Sequence, residues 1–264
     1  MDYSKLATII PLTREKIFES DYLELPEFLG IDSITRILQL GNLSYITTKP
    51  IDHNCTSLLQ FEERIQSLEH NHIMQLEKNL DFNWLVQIYH LMNVNHLEVF
   101  HNVSLNGLSV EEIIDFRPTN VGGTISFKTI SKSALGFIRL FRGKESVVKL
   151  TMHSALTIEL NLEVGDNKTY TVLFNVLPLS ANRHKLFVDI YGTKKPNIAS
   201  KTILGLVLKI ASLITINEDM DYYEKLGKRD LANIIAYDRT QTPNKSSLIH
   251  RFFQVYGPRL RSNE

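Results

Sequence analysis

Between residues 156 and 192, apolar and polar side chains alternate with a period of two. Leu156, Ile158, Leu160, Leu162 and Val164 take one phase; Thr157, Glu159, Asn161 and Glu163 take the other. Gly165-Asp166-Asn167 then turns the chain. Tyr170, Val172, Phe174 and Val176 alternate on the return, and Leu186, Val188 and Ile190 do so again. Successive strand side chains point to opposite faces, so this pattern predicts half-buried antiparallel strands with one face on a core. Gly122-Gly123 and Gly143 separate two earlier strands, over 124–130 and 136–141. Residues 120–192 therefore read as one antiparallel sheet.

On either side the period lengthens. Trp84, Ile88, Leu91 and Met92 recur at spacings of three and four, which predicts a helix capped by Asp81 or Asn83. Gly107 and Pro118 mark loops beyond it. Ile203, Leu206, Val207, Ile210, Leu213 and Ile214 form a 3.6-residue stripe, too short and too interrupted at Lys209 to span a bilayer. Asn217-Glu218-Asp219 starts a second helix reaching about Tyr237. The tail, 239–261, mixes Lys245, Arg251, Arg259 and Arg261 with Phe252, Phe253 and Tyr256; it reads as a solvated amphipathic helix, with packing on a partner subunit as the other reading. Near the start, 43–48 is a strand stopped at Pro50, and 62–80 is polar and helix-favouring, with His70 and His72 on a solvated face. The order is helical piece, antiparallel meander, C-terminal helices. It predicts an α+β domain whose curved antiparallel sheet packs on a long C-terminal helix. Residues 1–80 form a separate N-terminal segment, and 81–264 the main domain.

Composition narrows the function classes. The 264 residues are 43% hydrophobic and 22% charged, ordinary globular usage. The 29 basic and 29 acidic side chains cancel and form no basic block, which argues against nucleic acid or an anionic membrane as the main partner. The first 25 residues are broken by Asp, Lys, Arg and Glu and lack the apolar run of a signal peptide, so a cytoplasmic location is expected. Cys55 is the one cysteine in the sequence. It excludes an internal disulfide and any multi-cysteine zinc or iron–sulfur site within the chain.

Histidine is the residue type that clusters. Of nine, His90, His96 and His101 fall within twelve positions. His96 and His101 converge if His96 closes a helix and His101 lies just past its end, since five residues apart they drift off one helical face. Two neutral imidazoles and one carboxylate would make the facial triad of mononuclear non-heme Fe(II) sites. The same residues also read as core or surface imidazoles satisfied by backbone groups. No GxSxG elbow and no P-loop competes for the chemistry.

The stretch from Asn83-Trp84 through Leu91-Met92-Asn93, His96-Leu97-Glu98 and Phe100-His101 resembles the catalytic-domain signature of Rieske non-heme iron oxygenases. It is most like the aromatic O-demethylase and chlorophyll-pathway branches. The resemblance implies that His96 and His101 are metal ligands. It also implies a third ligand far downstream, in an acidic segment followed five residues on by Glu. Asn217-Glu218-Asp219-Met220-Asp221-Tyr222-Tyr223-Glu224 matches, which puts Asp219 in the ligand position, with Asp221 as runner-up. The resemblance spans about 81–264 and implies a helix-grip, START-like fold.

Three departures shape the expectation. The family's N-terminal Rieske domain binds a [2Fe–2S] cluster through two Cys and two His, and with Cys55 alone this chain cannot; residues 1–80 stand as its remnant or replacement. The Asp usual three residues before the first His is Asn93, which keeps a hydrogen-bonding carbonyl but no charge. An Asn common one turn earlier is His90, which would orient a ligand by hydrogen bonding or be an ordinary buried His. The resemblance thus implies an Fe(II)-dependent oxygenase, specifically a monooxygenase subunit that hydroxylates or oxidatively demethylates a small organic substrate with O₂ as co-substrate. Electrons would come from a separate Rieske-bearing subunit with a reductase upstream, in a trimeric hetero-oligomer. The alternative is a non-catalytic accessory or ligand-binding subunit paired with a complete oxygenase.

Overall fold

The computed structural model describes residues 9–13, 36–40, 43–47, 56–68, 71–94, 108–131, 145–164, 168–180, 182–193, 198–227 and 247–261. Among these, strands β1 (Ile9–Thr13), β2 (Arg36–Leu40) and β3 (Leu43–Thr47) precede helix α1 (Thr56–Leu68), strand β4 (His72–Leu80) and helix α2 (Trp84–Met92). Strands β5 (Leu108–Pro118), β6 (Gly123–Ser131), β7 (Glu145–Met152), β8 (Thr157–Val164), β9 (Lys168–Ser180) and β10 (Arg183–Tyr191) follow. Helices α3 (Ile198–Gly227) and α4 (Ser247–Arg261) complete the order.

The seven later strands form one sheet in the order β4-β10-β9-β8-β7-β6-β5, every neighbouring pair antiparallel. The meander from β5 to β10 is consecutive, as the alternation predicts, and β4 joins beyond β10. Register shifts in β5 and at both ends of β10 bend their strands, and the sheet curves. Ile158 stands opposite Phe174, Leu160 opposite Val172 and Leu162 opposite Tyr170, so the apolar phase of each strand shares one inner face. Val188, Leu76, Leu150 and Phe127 continue that face in the buried core.

Three helices pack along the inner face. α3 lies on β4, α2 on β9, and α4 on β5 and β6. Gly205 carries the α3 backbone close to β4; a Cβ there would sit 3.5 Å from the Ile73 carbonyl oxygen. Lys78 of β4 donates to Asn217 Oδ1 of α3 at 2.8 Å. At the far edge the Arg251 guanidinium donates to the Thr119 carbonyl at 2.6 Å, and the Tyr256 hydroxyl to the Val121 carbonyl at 2.8 Å. This is the expected α+β helix-grip arrangement.

Four local expectations are corrected. The helix expected over 62–80 ends at Leu68, and 72–80 is strand β4. Pairing with β10 and burial of Ile73, Met74, Leu76 and Leu80 override the local propensity. The two helices expected on either side of Asn217 are one helix, α3. Nothing between Ile198 and Gly227 breaks the ladder: there is no proline, and the acidic residues are tolerated in a helix interior. Pro118 ends strand β5 rather than marking a loop, and β7 arises where no strand was expected. In the C-terminal tail, helix α4 buries Phe252 and Tyr256 against the chain's own sheet and exposes His250 and Gln254, as an amphipathic helix does. The strand expected over 136–141 lies outside the described residues, as do Lys245 and His70.

The outer face of the sheet is covered too. β1, β3 and β2 form a small antiparallel sheet, and with α1 it lies over β8 and β9. Tyr45 of β3 and Phe61 of α1 are fully buried there, with ring centroids 5.4 Å apart. The Asn175 amide donates to the Tyr45 hydroxyl at 3.0 Å, tying the small sheet to the large one. The polar phase of these strands, Glu159 of β8 and Thr171 and Asn175 of β9, is therefore buried on the outer face rather than exposed to solvent.

Candidate functional site

Helix α2 carries the centre of the site. Its entry is fixed by Asn83, in extended backbone at φ −63° and ψ 131°, whose side-chain oxygen accepts from the Leu85 N–H at 2.8 Å. From there nearly every side chain is buried: Trp84, Val86, Gln87, Ile88, Tyr89, His90 and Met92. A helix apolar on all sides belongs in a protein interior. Asn93 ends it, its backbone N–H donating to the Tyr89 carbonyl at 3.0 Å and the His90 carbonyl at 3.1 Å.

Asp219 sits in the interior of α3, where it is 5% exposed. A carboxylate there gains nothing from a helix N-terminus, so the macrodipole does not account for it. It faces His90 instead: His90 Nε2 and Asp219 Oδ1 are 3.0 Å apart, with both side chains buried. His90 lies in the last turn of α2, where the unsatisfied carbonyl end favours positive charge. A buried imidazole and a buried carboxylate converge from two helices against the apolar inner face. Both are borderline-hard donors suited to a divalent first-row ion.

Of the five residues singled out in the sequence, the structure describes three. It brings His90 and Asp219 together and places Asn93 three residues past His90, half-buried at the end of α2. His96, His101 and the runner-up Asp221's side chain lie outside the described residues. Among those described, no group of three or more His, Cys, Asp and Glu side chains is arranged to hold a metal ion. The described pair nevertheless fits the carboxylate arm of such a site and adds an imidazole beside it.

A second polar cluster, on the outer face, was not singled out in the sequence. Arg64 of α1 donates through Nε to Glu159 Oε1 at 2.8 Å, and through Nη2 to Asn161 Oδ1 at 2.8 Å and Thr171 Oγ1 at 2.9 Å. His153 Nε2 meets Glu159 Oε2 at 2.8 Å. Burial alone would raise the Glu159 carboxyl; the His153 hydrogen bond and charge, Arg64 and Asn161 outweigh it and hold it down at about 2. Nearby, burial pushes the Asp189 carboxyl up, partly offset by His72, whose Nε2 is 3.3 Å away. On the inner face, burial lowers His184 to about 4 while its Nδ1–H donates to the Phe82 carbonyl at 3.0 Å. Acidic residues within strands that carry apolar side chains, such as Glu159 and Asp189, are the one sequence signal for these clusters. The signal is weak because the same residues suit a solvated strand face.

No family model matches the chain, and no curated protein matches it. Solved structures do. Dicamba monooxygenase bound to 3,6-dichlorosalicylic acid aligns at TM-score 0.56 and 10% identity, over 86% of this chain and 70% of that one. The same enzyme bound to dicamba aligns at TM-score 0.52 and 11% identity, over 87% and 70%. The quaternary ammonium Rieske monooxygenase CntA, with an inhibitor, aligns at 0.49 and 14% identity over 73% of this chain. This chain spans about half of the CntA chain, 51% of it. At such identities the likeness to dicamba monooxygenase shows the fold alone: the chain shares that protein's α+β architecture. Among the described residues, no helix is long and apolar enough to cross a membrane.

Proposed function

We propose that this chain is a non-heme Fe(II) oxygenase subunit. The observation that carries the reading is the burial of Asp219 beside His90 in a fold shared with dicamba monooxygenase. In this reading His96, His101 and Asp219 hold the iron. His96 stands three residues past Asn93, within about 11 Å of extended chain from the end of α2. The ion, when bound, supplies dioxygen activation for hydroxylation or oxidative demethylation of a small organic substrate.

The chain's own groups do the rest. The apolar inner face, with Leu160, Leu162, Tyr170, Val172 and Phe174 half-buried on it, is suited to hold a mostly apolar substrate and keep water out. Asn93 orients a ligand imidazole by accepting its free N–H. His90 holds the Asp219 carboxylate in place. With a single cysteine the chain cannot carry a Rieske cluster, so electrons enter from a separate Rieske-bearing subunit docked near Asn93 and His96, served by a reductase. Residues 1–80 stand in for the missing Rieske domain, 81–264 form the catalytic domain, and the assembly is a trimeric hetero-oligomer in the cytoplasm.

The test is anaerobic loading with Fe(II), followed by iron analysis and turnover with the Rieske-bearing partner. One iron per chain is expected, lost in His96→Ala and Asp219→Asn along with turnover. Full iron and activity in His96→Ala would refute the ligand set. Failure to take up iron at all would leave the accessory, ligand-binding subunit as the better reading.

A further inference from the structure

We propose that this chain binds an elongated amphiphile along β8 and β9, an apolar body with one uncharged hydrogen-bonding head such as a hydroxyl. The inference names a substrate class for the proposed oxygenase and rests on that reading for turnover; binding by itself does not need it. On these two strands burial is inverted. The polar outer phase, Thr157, Glu159 and Asn175, is buried under the small sheet and α1, while the apolar inner phase, Leu160, Leu162, Val172 and Phe174, is only half-buried. On the neighbouring strands the inner residues Phe127, Val148, Leu150, Val188 and Leu76 are all buried. Among the described residues of these strands, the opening therefore lies in the middle of the sheet, between α3 on β4 and α4 on β5 and β6. An apolar floor left part-open between two helices favours an apolar ligand, which leaves water on binding there.

The floor has a length and a polarity. Leu160 stands opposite Val172, and Leu162 opposite Tyr170. From Phe174 to Tyr170 it extends about 13 Å, more than one aromatic ring covers. Helix α3 meets β4 near Met74 at Gly205 and at Lys78 through Asn217, so it runs alongside β4 toward Leu80. Across β10, Met74 is level with Val172 and Lys78 with Val176, so Asp219 lies past the Phe174 end. Hydroxyls mark the other end. Tyr170 brings one. Ser146 brings the second: it stands two residues before Val148, which is opposite Leu162, and its Oγ is buried without a hydrogen-bond partner among the described residues. Thr129, directly opposite, donates its own hydroxyl to the Ser146 carbonyl at 3.2 Å. A buried hydroxyl left unpaired is costly, and a ligand head bonded to Ser146 removes that cost. The described inner-face side chains of β8 and β9 include no cation, which favours an uncharged head over a carboxylate. With its head at Ser146 and Tyr170, the ligand points its apolar end toward His90 and Asp219.

The experiment uses the full chain without added metal and three probes, dodecanol, dodecane and benzyl alcohol, each displacing Nile red from the protein. Dodecanol is expected to bind at one molecule per chain, more than about 100-fold tighter than benzyl alcohol, because each further buried methylene adds to binding. Ser146→Ala and Tyr170→Phe should each weaken dodecanol by about 3- to 10-fold and leave dodecane unchanged. Val172→Trp, which fills the floor, should weaken both by more than about 10-fold. The wild-type comparison and the two conservative variants decide the matter even if Val172→Trp fails to fold. Dodecanol binding no tighter than benzyl alcohol would overturn the proposal, as would equal losses for dodecanol and dodecane in Ser146→Ala and Tyr170→Phe. Protein that takes up iron but ignores dodecanol would overturn this inference alone. Protein that binds dodecanol as expected but takes up no iron would support it while removing the oxygenase reading.

Discussion

Arg64 of α1 reaches across the outer face of the sheet to Glu159 of β8, with Nε 2.8 Å from Oε1. The same guanidinium touches Asn161 and Thr171, so one side chain clamps the helix to two adjacent strands. Glu159 is 2% exposed, and an ionised carboxylate that deep is tolerable only because Arg64, His153 and Asn161 all address it. Arg64→Met is expected to destabilise the protein by about 2 kcal/mol, the scale of hydrogen bonds to a charged group. Urea unfolding of the two proteins measures this. Glu159→Gln combined with Arg64→Met should cost less than the two changes added together, because the second change no longer strands a charge.

Acid should lower the protein's stability in two stages. His184 is held near 4 in the fold against about 6.5 when unfolded, so between those values the unfolded chain binds the extra proton and stability falls as pH falls. Glu159 is held near 2 against about 4.5, so its contribution is complete above pH ~4.5 and is lost on acidification towards 2. Each contributes roughly 3 kcal/mol over its window. His184→Phe should flatten the stability profile between about pH 6.5 and 4 and leave the lower stage in place. Urea midpoints at half-unit pH steps would show it; an unchanged upper slope would mean His184 is not the group titrating there.

Among the described residues, the buried Asn175 amide donates to the Tyr45 hydroxyl alone, across the two sheets. Tyr45→Phe keeps the ring contact with Phe61 and removes only the acceptor. A loss of about 1–3 kcal/mol is expected, because the Asn175 donor is left without a partner. Tyr45→Phe combined with Asn175→Leu should recover part of it. Thermal unfolding of the set decides the point.

Gly122 admits no side chain. A Cβ there would lie 2.6 Å from the Met152 carbonyl oxygen, which β7 holds in the sheet and which cannot step aside. The neighbouring turn is closed by the Thr119 N–H donating to the Gly122 carbonyl at 2.9 Å. Gly122→Ala should cost about 1–3 kcal/mol as an overpacked site and loosen the anchorage of α4 at Thr119 and Val121. Amide hydrogen exchange in β6 and α4 would report both effects.

The alternation of β8, β9 and β10, the apolar spacing of α2 and the Asn83 cap were legible because each is a local property of consecutive residues. The period of a strand or helix follows from backbone geometry alone. The likeness of Asn83–His101 to an oxygenase signature was legible for the same reason, and its fold is the one found. By itself the sequence also determined that no Rieske cluster resides in this chain, since one cysteine cannot supply two. What joins distant parts of the chain was decided only in three dimensions. Residues 72–80 became a strand because β10 offered an edge to pair with. Asn217–Asp219 stayed inside one helix because nothing between Ile198 and Gly227 breaks the backbone ladder. Glu159 and Asp189, polar in phase with a solvent face, were buried because β1–β3 and α1 cover that face. His90 came to face Asp219 because α2 and α3 pack together on the sheet. Local pattern sets which way a side chain points; only tertiary packing sets what it meets.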